Sequence, residues 1–310
     1  METWSLVEGH WLNGEHPGAT ARWFNVVGAD SPELDELAAR FGLHHLSVED
    51  CRSTAYHAAK IDEFDNHLFI VFHSPPDALD ESPPTEEIDV FLGRDFLITY
   101  EDRPLFAVAN LLAALEDGRH CRPGPDGLLY EIIDRAVDTG LPLVNRIGER
   151  IEQLQQQVLD ESTPDASRSV LLVRAYVGRL RRTIAPQLAV INRLSRGEFG
   201  FVDPANQVYF RDVYDHLVRL DFALEGVRED AEVALSTHLS VLNNRMNEVM
   251  KVLSVVSALA LPAVVIAGIF GTNFDSVPGL HSNWGFVAMV ISMAGLASGM
   301  AWVFKRRHWF

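Results

Sequence analysis

Two stretches near the end of the chain, residues 252–270 and 285–304, contain no charged residue. A helix of about 20 residues crosses the ~30 Å hydrocarbon core of a bilayer. We therefore expect two transmembrane helices, joined by an extracytoplasmic loop over residues 271–284. Lysine and arginine flank the pair and are absent from this loop, which places both termini in the cytoplasm. The pattern predicts a multi-pass protein of the cell (inner) membrane.

A heptad-like apolar stripe leads into the first of these stretches. Residues 205–260 contain no proline and only Gly226 as glycine, so one helix is predicted to begin as a cytosolic stalk over residues 205–251 and to continue through the membrane. Two spans of one chain cannot enclose a water path, so the stripe either joins several copies or packs within its own chain. It comprises Phe210, Val213, Leu217, Leu220, Leu224, Val227, Ala231, Leu235, Leu239, Leu242, Met246, Val249 and Leu253.

The chain before the stalk divides into two parts. Residues 1–125 mix aromatic and β-branched runs with short helical patterns, which predicts a cytosolic α/β domain. Residues 126–204 predict a cytosolic helical segment, and residues 305–310 form a basic cytosolic tail. The predicted fold class is therefore an α+β/α membrane protein whose long stalk helix is continuous with the first of two C-terminal transmembrane helices. Strands are expected at residues 21–27, 67–72, 88–92 and 96–100, and short helices after Ser31-Pro32 and at 105–115.

The formal net charge of −17 argues against nucleic acid as a partner, because phosphate binding needs basic patches. An acidic surface either concentrates cations or only keeps the protein soluble. Twelve histidines are present without a His-x-x-x-His or Cys/His cluster, so neither an enzyme nor a bound cofactor is expected. The adjacent His44 and His45 are expected to point apart.

Several motifs in the last third of the chain resemble the CorA family of divalent-cation (magnesium/cobalt) transporters. The resemblance covers roughly residues 205–310 and implies a homo-oligomer, a pentamer in that family, in the lipid bilayer. The motifs are Tyr209-Phe210-Arg211-Asp212-Val213-Tyr214-Asp215-His216, Asn247-Glu248-Val249-Met250-Lys251-Val252-Leu253, Leu261-Pro262, Ile266-Ala267-Gly268-Ile269-Phe270-Gly271-Thr272-Asn273-Phe274 and Lys305-Arg306-Arg307-His308-Trp309-Phe310.

The resemblance implies an ion-selectivity loop at Gly271, Thr272, Asn273 and Asp275. An amide oxygen of Asn273 can hold a hydrated Mg²⁺ through its waters, since this ion dehydrates reluctantly. Gly271 is expected to take left-handed backbone angles and end the helix. Asp275, repeated around an oligomer, either attracts cations or is a solvated loop acid. Thr272 departs from the family's Gly-Met-Asn signature and puts ion selectivity in question, because the zinc-transporting ZntB-like branch also departs there.

The same resemblance and helical spacing suggest a pore lining and a regulatory site. Apolar pore residues form constrictions that gate by dewetting, or else pack against other helices. Asp212 matches a family acid that helps bind regulatory Mg²⁺, with Asp77, Asp80 and Glu81 as candidate partners. Each of these acids is otherwise a surface or salt-bridged group. The predicted pore lining consists of Asn247, Met250, Leu253, Ser257, Leu261, Val264 and Gly268.

The leading hypothesis is a channel for Mg²⁺, and also for Co²⁺ or Ni²⁺, driven by the membrane potential and gated by intracellular Mg²⁺. Mg²⁺ would then be both transported and regulatory ion. The first alternative is a ZntB-like zinc transporter, with or without proton coupling. The second is a non-conducting, membrane-tethered sensor or scaffold, which gives no reason for the Gly271-Thr272-Asn273 loop.

Overall fold

The structure is a computed structural model of the whole chain. It describes all residues except 30, 54, 77–84, 120, 160–165, 273–276, 280, 281, 283 and 308–310. The chain divides into two compact units, Met1–Leu235 and Ser236–Phe310.

Within the described residues, the first unit contains one seven-stranded sheet in the order β2-β1-β3-β7-β6-β5-β4. Strands β3 and β7 pair in parallel, and every other neighbouring pair is antiparallel. The strands are β1 (Glu2–Val7), β2 (His10–Asn13), β3 (Ala21–Val27), β4 (Lys60–Glu63), β5 (Leu68–Ser74), β6 (Glu86–Leu92) and β7 (Phe96–Glu101).

Strands β3, β5, β6 and β7 lie where the apolar pattern predicts them, and β6 and β7 form the expected hairpin. Its turn requires glycine, because a Cβ at Gly93 would collide with the Phe96 ring. The Gly93 N–H donates to the Phe96 carbonyl at 2.8 Å and closes the turn. Strands β1, β2 and β4 were not predicted. In β4 only Ile61 is buried, so this strand has no apolar alternation to detect.

Eight helices lie among the described residues, and those of the first unit pack against both faces of the sheet. The predicted α/β organisation is therefore confirmed. They are α1 (Pro32–Phe41), α2 (His45–Arg52), α3 (Phe106–Glu116), α4 (Pro125–Asp138), α5 (Gly140–Leu159), α6 (Ala166–Ser195), α7 (Gln207–Phe270) and α8 (Gly285–Arg306).

Strand β5 shows how the sheet separates two cores. Phe69 and Val71 pack on the side of α1 and α2. Leu68, Ile70 and Phe72 pack on the other side, in a larger core that includes side chains of α3 to α7. This alternation follows from the period of two along a strand, with both faces buried.

The imidazole rings of His44 and His45 do not diverge as expected, and their centroids lie 4.6 Å apart. His44 is the N-cap of α2, and its Nδ1 accepts a hydrogen bond from the Leu46 N–H. The expectation was wrong because it assumed that both residues lie inside one regular element.

The apolar stripe of α7 changes character along its length. From Phe210 to Ala231 its members are buried within the chain, so here the stripe packs intramolecularly. Leu239, Leu242 and Met246 are exposed, at 60%, 46% and 61%. The second half of the stripe is therefore uncovered in a single chain.

Helices α7 and α8 are the two described helices that are long and apolar enough to cross a membrane. The apolar segment of each lies almost entirely at the surface of the chain. Such surfaces are normally covered by lipid or by further subunits. The predicted continuity of the stalk with the first span is confirmed, since α7 runs unbroken from Gln207 to Phe270.

Candidate ion path and metal-binding cluster

The seven predicted pore residues of α7 are all exposed in the single chain. Val255 is buried, and Ala258, Leu259, Pro262 and Ile266 are half-buried, so these residues mark the more covered side of the helix. Side chains outside the predicted set are exposed as well. The uncovered surface of α7 is therefore broader than the predicted pore face, and it contains that face.

The hydroxyl group of Ser254, on this surface, is satisfied by its own helix. Its Oγ donates to the Met250 carbonyl at 2.7 Å. A hydroxyl that donates to the backbone keeps its lone pairs available to water or a cation. Polar side chains are thereby tolerated within an apolar span.

The predicted selectivity loop begins at the end of α7. The Gly271 N–H donates to the Ala267 carbonyl at 2.9 Å, and the Thr272 Oγ1 donates to the Ile269 carbonyl at 2.8 Å. Thr272 thus caps a carbonyl at the helix end, which a methionine side chain cannot do because it has no donor. Asn273 and Asp275 lie outside the described residues.

Gly271 does not adopt the expected left-handed conformation, because it is absent from the described glycines with positive φ. The reason for glycine at this position is close approach instead. A Cβ here would lie 3.1 Å from the Ala267 carbonyl oxygen, which is tighter than an ordinary contact.

The predicted regulatory acid, Asp212, lies near the start of α7 and is exposed. Its Oδ2 is 3.8 Å from Nε2 of His216, one turn further along the same helix. Nδ1 of His216 is in turn 3.6 Å from Oδ1 of Asp138 on α4. The histidine therefore lies between carboxylates of two helices.

A candidate metal-binding group is formed by Asp134, Asp138 and His216. One ligand atom from each lies within 4.8 Å of the other two. Two atoms bound directly to one Mg²⁺ are at most about 4.2 Å apart, so the observed spacing suits an ion held partly through water. Carboxylates suit Mg²⁺, and imidazole suits zinc, cobalt and nickel.

Electrostatics favour a cation in this cluster. Burial, and then the neighbouring carboxylate of Asp138, raise the pKa of Asp134. The Tyr130 hydroxyl donates to Asp134 Oδ2 at 3.4 Å, and burial followed by Asp134 raises the pKa of Tyr130 to about 12. A divalent ion would offset the repulsion that disfavours the charged form of Asp134.

Asp212 was predicted as a regulatory ligand from the sequence, whereas Asp134, Asp138 and His216 were not. Two local signals were available, namely the four-residue spacings of Asp134 with Asp138 and of Asp212 with His216. Neither spacing predicts that α4 and α7 lie next to each other, because each spacing lies within one helix. The candidate partners Asp77, Asp80 and Glu81 lie outside the described residues.

Comparison with known proteins connects this arrangement to a family. Residues 18–306 match the family described as CorA-like Mg²⁺ transporter protein. The cobalt/magnesium transport protein CorA of Thermotoga maritima is 28% identical over 295 residues, which are 94% of this chain and 84% of that protein. The zinc transport protein ZntB of Pectobacterium atrosepticum is 26% identical over 228 residues, or 72% of this chain and 67% of that protein.

The fold is shared with a solved transporter. The complete CorA magnesium transporter of Methanocaldococcus jannaschii superposes with a TM-score of 0.88 at 18% identity, covering 100% of this chain and 98% of that one. The family match spans nearly the whole chain and includes both apolar helices. This chain therefore belongs to the CorA-like Mg²⁺ transporter family, whose members are membrane transporters of divalent cations and not enzymes.

Proposed function

We propose that this chain forms a homo-oligomeric channel, a pentamer, that admits Mg²⁺ and also Co²⁺ or Ni²⁺ down the membrane potential. The observation that carries the proposal is the uncovered side of α7 from Leu239 onward, which includes the predicted pore face. Two spans cannot surround water, so a path needs several copies of this helix around one axis. A symmetric ring would cover most of the exposed apolar residues between subunits and leave one face of α7, with polar and apolar side chains, along the path.

In this ring the loop residues meet the ion first. Asp275 attracts cations at the outer mouth, and Asn273 holds the hydrated ion through its waters. Both termini are cytoplasmic in the cell (inner) membrane, so the loop faces outward. An inward potential favours entry of a divalent ion by about 4.6 kcal/mol per 100 mV.

Side chains along α7 then line the path. Met250, Leu253 and Leu261 form apolar constrictions that close by dewetting. Ser257, Val264 and Gly268 line the remaining path, and Asn247 forms a polar ring at the cytosolic end. All seven residues are exposed in the single chain. This exposure supports the proposal, because a side chain that lines a path between subunits cannot be buried within its own chain.

Intracellular Mg²⁺ gates the channel at the cytosolic unit in this proposal. Asp212, Asp134, Asp138 and His216 supply ligands, and Asp77, Asp80 or Glu81 supply further acids. Carboxylates that face one another repel unless a cation lies between them. Loss of the bound ion therefore loosens the assembly and opens the path.

A zinc transporter, with or without proton coupling, is the second candidate. The observation that favours it is the Thr272 hydroxyl, which caps the Ile269 carbonyl where the magnesium-type signature has methionine. Competition between Zn²⁺ and Mg²⁺ for uptake into vesicles, with and without a pH gradient, separates the two candidates.

The proposal is tested by Mg²⁺ uptake into vesicles that contain the purified protein, under an inside-negative potential. We expect uptake by the wild type, loss of most uptake in Asn273→Ala, and wild-type uptake in Asn283→Ala, which removes another asparagine of the same loop. Full uptake by Asn273→Ala would reject the assigned loop site. Absence of conductance in planar bilayers for every ion would instead support the non-conducting sensor or scaffold.

A further inference from the structure

The first unit contains a cavity of about 870 Å³ that has no part in the proposed ion path or metal cluster. Its walls come from α2 and the residues after it, from β5, β6 and β7, and from α6. A cavity of this size is in the range of small-molecule sites.

Two buried hydrogen-bond acceptors line the inner wall of this cavity. Asp89 is 4% exposed, and its Oδ1 has no hydrogen-bond partner. His73 is 2% exposed, and its Nε2 lies 2.8 Å from the His57 carbonyl oxygen. A carbonyl oxygen only accepts, so Nε2 carries the proton and Nδ1 is an acceptor, which has no partner either.

Unpartnered buried polar atoms are rare, and each one needs an explanation. His73 Nδ1 is an acceptor, Asp89 Oδ1 is an acceptor when that carboxyl is ionised, and both belong to side chains that line the same cavity. A ligand with N–H donors would satisfy both atoms. A three-ligand metal site does not explain them, because among the described residues the close ligand group is the one at Asp134, Asp138 and His216.

The wall of the cavity formed by α6 carries positive charge, in contrast to the acceptors on the inner wall. Arg179 and Arg182 are exposed, lie one turn apart and line the cavity, and neither forms an ion pair with a described residue. In a chain with 43 acidic and 26 basic residues, most cations have acidic neighbours available. Two guanidinium groups on one wall, both without an ion pair to the described part of the chain, suit a phosphate group.

An aromatic ring completes the set. Tyr56 is 61% exposed and stacks on His73, with ring centroids 5.3 Å apart and planes inclined by 22°. An exposed ring beside buried acceptors is a surface on which a planar base can stack.

We propose that this cavity binds a guanine nucleotide, with the base N–H groups on Asp89 and His73, the base against Tyr56 and the phosphates on Arg179 and Arg182. Guanine presents two neighbouring N–H donors on its pairing edge. Adenine presents one donor beside an acceptor, which would face a second acceptor here. This site is independent of cation transport, and binding alone tests it.

Binding is expected to depend on pH through Asp89. Burial, and then the charge of Glu87, raise the pKa of Asp89 to about 8, so a ligand that needs its carboxylate displaces a proton. The other groups that act on its pKa are Cys51, whose side-chain hydrogen bond lowers it, and Asp50 on α2 and Asp102 after β7, whose charges raise it. Affinity for GDP therefore rises as the pH rises toward about 8.

The experiment is a calorimetric titration of the full-length protein in detergent with GDP, in buffer containing a chelator so that metal sites stay empty. We expect a Kd below about 1 mM, and a loss of about tenfold or more both in Asp89→Asn and in the double variant Arg179→Ala, Arg182→Ala. The matched control is Arg168→Ala, which removes an exposed arginine of the same helix that does not line the cavity. Circular dichroism checks that each variant is folded.

Three results would overturn the proposal. They are no GDP binding to the wild type, unchanged binding in either test variant, and binding of ADP or inorganic pyrophosphate as tightly as GDP. A rise in GDP affinity from pH 6 to 8 that disappears in Asp89→Asn would support the assignment to that carboxyl group.

Discussion

Asp138 on α4 and His216 on α7 approach each other across the two helices, with Oδ1 and Nδ1 3.6 Å apart. The distance is too long for a hydrogen bond and short enough for a shared ion. Asp134 completes a group of three ligands at the same point. An ion bound there would join α4 to the N-terminal half of α7, whose C-terminal part is apolar enough to cross a membrane.

The first prediction concerns this cluster. Mg²⁺ is expected to raise the thermal unfolding temperature of the wild type, because a ligand that binds only the folded state stabilises it, by about 1.4 kcal/mol at ten times its Kd. Asp138→Asn should lose most of this shift. The measurement is thermal unfolding in detergent at increasing Mg²⁺.

Asp215→Asn is the control for this prediction, since Asp215 is an exposed acid on the same helix and outside the cluster. It should keep the wild-type shift. Equal shifts in Asp138→Asn and the wild type would remove the cluster from the regulatory proposal.

The metal-binding cluster could not be predicted from the sequence. Its ligands come from α4 and α7, far apart in the chain, and no periodicity indicates which turns of the two helices meet. The long uninterrupted pattern of α7 and the β6–β7 hairpin were predictable, because apolar spacing and a glycine turn are local signals. Strand β4, with the sequence Lys-Ile-Asp-Glu, carries no such signal and is held by its pairing with β5.

The apolar stripe of α7 likewise shows that a local pattern does not reveal its packing partner. Its three- and four-residue spacing continues from Val227 to Leu253, but burial within this stretch ends after Ala234. The sequence therefore indicated an interface without showing which part is covered by the same chain. That distinction depends on where the neighbouring helices end.

The second prediction concerns the exposed part of this stripe. Leu242→Asp places a charge on a surface that the proposed ring covers, and an unpaired buried charge is costly. We expect the assembly to dissociate into smaller species, as measured by light scattering coupled to size-exclusion chromatography in detergent. Ser240→Asp, on the same helix but outside the stripe, should leave the assembly intact. If Leu242→Asp kept the wild-type mass, this stretch of the stripe would not be a subunit interface.

The third prediction concerns the pH dependence of stability. Burial raises the pKa of Asp89 to about 8, whereas the value in the unfolded chain is near 3.8. Between these values the folded state holds a proton that the unfolded state has lost, so rising pH destabilises the folded protein, by at most about 1.4 kcal/mol per pH unit. The stability that the protonated Asp89 contributes to the folded state is fully present below about pH 4 and is lost as the pH rises through about 8.

Asp89→Asn should remove this contribution, because an amide does not titrate. The variant is expected to gain stability relative to the wild type as the pH rises from 5 to 8, as measured by thermal unfolding of both proteins in parallel. Glu101, whose pKa is raised to about 7 chiefly by burial, titrates in both proteins and cancels in the comparison. Unfolding curves that shift in parallel with pH would mean that Asp89 is charged throughout this range.

The fourth prediction concerns the hydroxyl of Thr272, which donates to the Ile269 carbonyl at 2.8 Å. Thr272→Val keeps the shape of the side chain and removes the donor, so the last turn of α7 loses a cap and the loop that follows loses an anchor. Thr272→Ser keeps the donor and should preserve Mg²⁺ uptake, whereas Thr272→Val should lower it. Equal uptake by the two variants would show that the cap has no role in transport.

Thr272→Met completes this series, because it restores the Gly-Met-Asn pattern while removing the hydroxyl. If residue 272 sets ion preference, the ratio of Mg²⁺ to Zn²⁺ uptake should rise above the wild-type ratio in Thr272→Met and stay near it in Thr272→Ser. The side chain that caps the helix also stands directly before Asn273, so a change in its donor and length acts on the position of that amide. A ratio that is the same in all these variants would place ion selectivity elsewhere along the path, and the apolar residues of α7 would become the next positions to change.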